Sequence, residues 1–332
     1  MSKLDINIKQ LHKQPFINLQ SSQLILEFSG KDVNYALVNS LRRCSLLYVP
    51  TYCFTKDSIT IETNTSIFDG DYMRLRLSQL TLPKIDIPIN FLPEKYWKNV
   101  DYSDPNREKH PKDTKNLELY INAKNDSPEI LNVTTDHCKV YSNGVEQKDF
   151  YKPISPSLII QLRSGEEFNC RCVAVLGVGQ INDIFAASSN CYYQEIDPTK
   201  FKFTIESQGQ LEEYDILYKC CDVIKNKIND IKKIIQENNK NEVITKGNSI
   251  IIRLENEDHT IGNYINYLLQ NNKDIAFSGL SKPDKLIDEV ILKIMSVKPN
   301  PMKPLFETFD TMINTYDVLQ SNITKLAAKN SK

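Results

Sequence analysis

Two stretches of the chain, about 220 residues apart, carry the same unit of an amphipathic helix followed by an apolar, extended segment. The first occupies residues 33–51 and the second begins at residues 257–269, with Asn39 and Asn263 at similar places in the two helices. Each half also ends in a long helix whose apolar residues step by four and three, a narrow stripe that is typical of helices packed lengthwise on other helices. A chain that carries such a unit twice can pair with itself, so we predict that the halves pack together.

The first helical unit has clear boundaries. Leu37 and Leu41 belong to its apolar stripe, and Asp32 is predicted to cap its first turn by accepting free backbone N–H groups. Pro50 ends the helix, because a proline disfavours the helical conformation of the residue before it. Alternating segments before and after the helix predict strands, and the sequence therefore indicates an α+β fold.

The second unit contains a histidine that carries no catalytic motif. His259 lies between Asp258 and Thr260, either of which is predicted to cap the following helix. No nucleophile motif, paired-carboxylate pattern or HExxH sequence accompanies it. We therefore predict that the chain is not an enzyme.

The residues between the two units differ from both. Prolines recur from residue 83 to residue 156, too often for long helices, and strand-like runs follow up to Gly177. We predict a discontinuous dimerisation domain (1–85 with 190–236), a β-rich insert domain (86–189), a linker (237–248) and a second dimerisation domain (249–332). The linker is polar and rich in Asn and Lys.

Charge and cysteine spacing exclude several classes of function. The 332 residues carry 41 Lys and Arg against 42 Asp and Glu, whereas nucleic-acid binding needs clustered cations. None of the eight cysteines forms a C-x-x-C pair, so the spacing favours buried free thiols, with a metal site as the alternative, and we predict no cofactor. No secretory signal and no apolar run of the ~18 residues of a membrane span is present. We expect a soluble, intracellular protein with little nucleic-acid contact.

The ordered set of motifs resembles the RNA polymerase assembly subunits, which include the bacterial alpha N-terminal domain, the third and eleventh subunits of eukaryotic polymerase II and the archaeal D and L subunits. Residues 39–43 (Asn-Ser-Leu-Arg-Arg) with 49–51 (Val-Pro-Thr) are similar to the third subunit, and residues 257–263 (Glu-Asp-His-Thr-Ile-Gly-Asn) open a region similar to the eleventh. The resemblance covers most of residues 20–326. It implies two alpha-N-terminal-like dimerisation domains that form an intramolecular pseudo-heterodimer, plus the insert.

Two features depart from the family pattern. The family insert often carries a cysteine cluster for zinc or an iron–sulfur centre, and that spacing is absent here, so we predict no metal. The fusion of both subunits in one chain is similar to that of large cytoplasmic DNA viruses. For a viral protein we expect the virion and the cytoplasmic viral factory, and otherwise the nucleus.

The resemblance also implies contact residues for the large polymerase subunits. These are Asn39, Arg42 and Arg43 in the first helix, with Arg43 the stronger candidate, and the loop at Gly177 and Gly179. From spacing alone, a solvated helix edge for the arginines and an ordinary turn for the glycines remain open. The intramolecular interface is predicted at apolar helix positions: Leu37, Leu41, Leu217, Ile224, Ile228, Ile231, Ile261, Ile265, Phe309, Met312, Tyr316, Leu319 and Ile323.

The function that follows from the resemblance is a non-catalytic scaffold of a multisubunit DNA-directed RNA polymerase. It would bind the second-largest and largest subunits, together with small subunits, and would remain monomeric when free. The alternative is a stand-alone binding or structural module with the same dimerisation fold.

Overall fold

In the computed structural model, which describes residues 4–16, 21–83, 85–104, 106–152, 155–237 and 243–330, the chain forms five α-helices and four antiparallel sheets. The helices are α1 (Tyr35–Leu47), α2 (Gly70–Ser78), α3 (Glu213–Gln236), α4 (His259–Gln270) and α5 (Met302–Asn330). The strands are β1 (Asn7–Pro15), β2 (Ser22–Ser29), β3 (Thr51–Asn64), β4 (Leu117–Lys124), β5 (Leu131–Thr134), β6 (Cys138–Ser142), β7 (Val145–Glu146), β8 (Leu158–Leu162), β9 (Glu167–Gly177), β10 (Ser188–Asp197), β11 (Lys200–Ser207), β12 (Val243–Lys246), β13 (Ser249–Glu255), β14 (Ile275–Ser281) and β15 (Glu289–Ser296). The α+β class is as predicted.

The first sheet has the order β1-β2-β11-β10 and is packed against α1 and α3. Strand β2 alternates, so that Leu24, Leu26 and Phe28 are buried on the face that the helices cover. The cap of α1 differs from the prediction. Asn34 is the N-cap and accepts a hydrogen bond from Leu37 N at 3.0 Å, whereas Asp32 instead accepts one from Asp5 N.

The insert shares its main sheet with the first dimerisation domain. Its order is β3-β9-β4-β6-β7, and β5 pairs separately with β8. Strand β3 follows α1 directly and pairs antiparallel with β9 from Thr51 to Asn64. The boundary predicted at residue 86 therefore does not describe the sheet, because one of its strands lies within residues 1–85.

The second half repeats the sheet-and-helix arrangement with the order β12-β13-β15-β14, and α4 packs on β14 and β15. Strand β12 (Val243–Lys246) lies inside the predicted linker and pairs with β13. This part of the linker prediction is wrong, since alternation in a four-residue strand is too short to recognise in a polar segment. Residues 238–242 of the predicted linker lie outside the described residues.

Buried side chains of both halves belong to one contiguous hydrophobic core. Strand β1 also contacts α5, where Asn322 Nδ2 donates to Ile6 O at 3.0 Å. The core is therefore shared across the two halves rather than divided between them.

Within the described residues, every helix is too short or too polar to cross a membrane.

Candidate partner-binding surface and the junction between the halves

Two helix pairs form the junction between the halves, α3 with α5 and α1 with α4. All thirteen apolar positions predicted for the interface lie on these helices and are buried: Leu37, Leu41, Leu217, Ile224, Ile228, Ile231, Ile261, Ile265, Phe309, Met312, Tyr316, Leu319 and Ile323. Each such side chain contributes about 1.5–3 kcal/mol when it moves from water to the interior. The stripes of α3 and α5 thus face the junction instead of solvent.

Polar contacts beside these stripes also cross the junction. The hydroxyls of Ser40 and Tyr316 lie 2.6 Å apart in the buried interior. Near the edge, Lys225 Nζ lies 2.8 Å from Asp317 Oδ1, and Lys232 pairs with an aspartate of α5. Sequence reasoning predicted Tyr316 but missed Ser40 and the two ion pairs, although the lysines flank the α3 stripe, where charged side chains often reach a neighbouring helix.

Arg43 joins the two helical units directly. Its Nε donates to Thr260 Oγ1 at 2.9 Å, and its Nη2 lies 2.5 Å from Asp258 Oδ2. Asp258, one of the two residues predicted as a cap, is the N-cap of α4 and accepts from Thr260 N at 2.6 Å. Burial alone would raise the pKa of Asp258, but hydrogen bonds from Thr260 and the Arg43 guanidinium outweigh burial and hold it below its usual value. The guanidinium of Arg43 is thus engaged within the chain.

A second ion pair at the junction is buried. Lys227 Nζ lies 2.8 Å from Glu257 Oε1 and 4.5 Å from the centre of the Tyr48 ring. Burial raises the pKa of Glu257, and Lys227 opposes that rise. Burial alone would lower the pKa of Lys227, but the Glu257 carboxylate more than offsets it, so the lysine stays protonated. Neither residue was predicted as a site, because a pair so distant in sequence leaves no local pattern.

Asn39 and Arg42 bond to each other on α1, beside the ion pair of Arg43. Arg42 Nε donates to Asn39 Oδ1 at 3.0 Å, and both residues are half-buried. With exposed Tyr35 and half-buried Leu46 they follow a spacing of four, three and four, which places them along one face of the helix. We call these four residues the outer α1 stripe. Within the described residues no carboxylate forms an ion pair with Arg42.

Gly177 and Gly179 are buried, and each is needed for close packing. A Cβ at Gly177 would lie 2.6 Å from the Phe185 ring, and one at Gly179 would lie 2.0 Å from Leu46 O. The end of β9 and the following turn thereby approach the last turn of α1. Their burial argues against direct contact of these two glycines with another subunit and favours a packing role.

In the described residues, no group of three or more His, Cys, Asp or Glu side chains could hold a metal ion. All eight cysteines are free, and only Cys138 is not fully buried. Burial raises the pKa of the Cys138 thiol to about 12, which keeps it protonated and unreactive.

The comparisons with known proteins agree with this arrangement of two related halves. The family described as the RNA polymerase Rpb3/Rpb11 dimerisation domain matches residues 27–228, and a second match with the same description covers residues 249–322. The chain therefore belongs to the RNA polymerase Rpb3/Rpb11 dimerisation-domain family, and its two halves each carry a copy.

Individual relatives include viral, eukaryotic and archaeal proteins. A protein of Acanthamoeba polyphaga mimivirus, provisionally named a DNA-directed RNA polymerase subunit, is 26% identical across 98% of this chain and 95% of its own length. The polymerase II subunit rpb3 of Dictyostelium discoideum is 26% identical over 56% of this chain and 60% of its own length. The Rpo11 subunit of Sulfurisphaera tokodaii is 39% identical over 15% of this chain and 53% of its own length. The chain is thus a transcription protein of the fused type, similar to a subunit of a large DNA virus.

Proposed function

We propose that the chain is a non-catalytic assembly subunit of a multisubunit DNA-directed RNA polymerase, in which its two halves form an intramolecular pseudo-heterodimer. The observation that carries this proposal is the packing of α3 on α5 and of α1 on α4 between two regions that match the same dimerisation family. The partner of each half is supplied by the same chain, so it is present at an effective concentration of up to about millimolar. The free chain would therefore be a monomer.

The surface that we propose for the large subunits is the outer α1 stripe, with Arg42 at its centre. Arg42 is half-buried and makes no ion pair within the described residues, and its planar guanidinium suits paired hydrogen bonds to a partner's carboxylate or carbonyl groups. Arg43 was the stronger sequence candidate, but its bonds to Asp258 and Thr260 give it a role inside the chain. By this proposal the second-largest subunit contacts α1, and the second half supports the largest subunit.

The proposed surroundings follow from the viral relative. We place the chain in the virion and in the cytoplasmic viral factory, together with large and small polymerase subunits and with little direct contact to nucleic acid. Its net charge of −1 supports an indirect route to DNA.

Affinity purification of the tagged chain from cells that produce the polymerase tests the function. Recovery of both large subunits in equal amount with the chain is expected, and their absence would favour a stand-alone binding module. Arg42→Ala tests the surface, because it should weaken recovery while the free energy of unfolding changes by less than about 0.5 kcal/mol. Arg43→Ala is the matched variant on the same helix, and it should lower stability.

A further inference from the structure

A cavity of about 310 Å³ opens at the junction, among the insert, α3 and the turn from β13 into α4. Phe91 and Trp97 from the insert and Val223 and Ile231 from α3 form much of its apolar wall. The second half contributes Glu257, which precedes α4. Because its walls come from both halves, the cavity exists only when the halves are packed together.

The carboxylate of Glu257 is incompletely satisfied in this cavity. Its Oε1 accepts from Lys227 Nζ at 2.8 Å. Its Oε2 is buried and has no hydrogen-bond partner in the part of the chain that the structure describes. A buried carboxylate oxygen without a donor is unfavourable by about 1–3 kcal/mol. This oxygen is thus an unused acceptor, which a donor that enters the cavity reaches when the neighbouring side chains move aside.

Acidic groups outnumber basic groups around the cavity. Both basic side chains already face a carboxylate, since Lys227 binds Glu257 and Arg253 Nε lies 3.5 Å from Glu289 Oε1. Four acidic residues line the space against these two cations: Glu94, Asp230, Glu255 and Glu257. Such a cleft, with low-dielectric apolar walls, concentrates cations.

We propose that this cavity receives an arginine side chain of a partner polypeptide, whose guanidinium donates to Oε2 of Glu257. A guanidinium is planar, presents several donors in a fixed fork and stacks on aromatic rings, so it fits an acidic slot with Trp97 and Phe91 in its wall. The methylene stem of the arginine packs on the apolar side chains. That the occupant belongs to a polymerase subunit rests on the proposed function, whereas the guanidinium site itself does not.

The test uses Trp97, which is the only tryptophan of the chain and lines the cavity. The probe is Nα-acetyl-arginine amide, titrated while tryptophan fluorescence is recorded, and Nα-acetyl-citrulline amide is the uncharged control of the same shape. A saturable change is expected with the arginine derivative, with at least tenfold weaker binding of the citrulline derivative. An equal fluorescence change with both derivatives, or no change with either, would overturn the proposal, and this outcome needs only the wild-type protein.

The double variant Lys227→Met with Glu257→Gln removes both buried charges at once, so that neither is left unpaired. Circular dichroism checks its fold. We expect it to bind the arginine derivative at least tenfold more weakly than the wild type, whereas Glu195→Gln, at an exposed glutamate outside the cavity, changes binding less than threefold. Unchanged binding by the folded double variant would refute the role of Glu257.

Co-purification separates this proposal from the proposed function. Recovery of the large subunits should fall with the double variant. If recovery is the same as for the wild type, the partner arginine is refuted and the assembly function stands. If the wild type binds the arginine derivative through Glu257 but recovers no polymerase subunit, the assembly function fails and the guanidinium site stands.

Discussion

Replacing Lys227 by methionine should destabilise the junction strongly, because it leaves Glu257 without its cation. The two side chains are 7% and 10% exposed, and 2.8 Å separates Lys227 Nζ from Glu257 Oε1. Methionine keeps the length and the apolar stem of lysine, so little packing is lost. Removing one member of a buried ion pair lowers the free energy of unfolding by about 3–5 kcal/mol. We expect about 3 kcal/mol, since Glu257 borders a cavity that admits water.

Urea denaturation of four proteins measures this effect: wild type, Lys227→Met, Glu257→Gln and the double variant. The double variant should regain most of the loss and lie within about 1 kcal/mol of the wild type, because no unpaired charge remains. Lys232→Met is the matched control on the same helix, because its partner Asp310 is 56% exposed and such a pair is worth at most about 1 kcal/mol. If Lys227→Met is no more harmful than this control, or if the double variant loses the sum of both single effects, the reasoning about buried charge is wrong.

The remaining predictions concern the junction and its packing. Arg43→Ala and Asp258→Ala should each cost about 1–3 kcal/mol in unfolding experiments, and the double variant should lose at least about 0.5 kcal/mol less than their sum; strict additivity would show that the two groups do not interact. The pKa of Asp258 in the folded protein lies below its ordinary value of 3.8, so the stability that its carboxylate contributes is complete above pH 3.8 and is lost as the pH falls below that value. When thermal unfolding is followed from pH 6 to pH 2.5, Asp258→Asn should therefore lose less stability in acid than the wild type does. Gly179→Ala should cost more than about 2 kcal/mol, because the new Cβ would overlap a backbone carbonyl oxygen, while Gly70→Ala, whose Cβ has 3.8 Å of space, should change stability by less than about 1 kcal/mol. Light scattering after size-exclusion chromatography should give the monomer mass of 38.3 kDa at all concentrations, and a dimer that persists on dilution would contradict pairing within the chain.

The helices of the junction were predictable because their apolar residues repeat with the helical period over several turns. Each of the stripes of α3 and α5 can be recognised from its own segment of the sequence, without reference to the other. Local chemistry also limited the cap of α4 to Asp258 or Thr260. It failed at the start of α1, where Asp32 and Asn34 are both suitable caps and the path of the backbone decides between them.

Contacts between distant residues were not predictable from one sequence. The pairing of β3 with β9 depends on which strand edges meet, and alternation within a strand does not encode that choice. In the same way, the type of residue at Arg43 indicated a polar contact but not that its partner lies 215 residues away. The polar segment before β13 hid a strand because β12 has only four residues.

The α3–α5 pairing has a consequence for synthesis on the ribosome. The end of α5 is synthesised about 90 residues after the end of α3. At roughly 5–20 residues per second, the apolar face of α3 waits about 5–20 s for its partner. Every finished chain contains one copy of each half, so the apolar face of α3 is not left exposed for lack of a partner. Covalent fusion thus removes the need for two separate chains to meet by diffusion, and the only wait is the time needed to translate the second half.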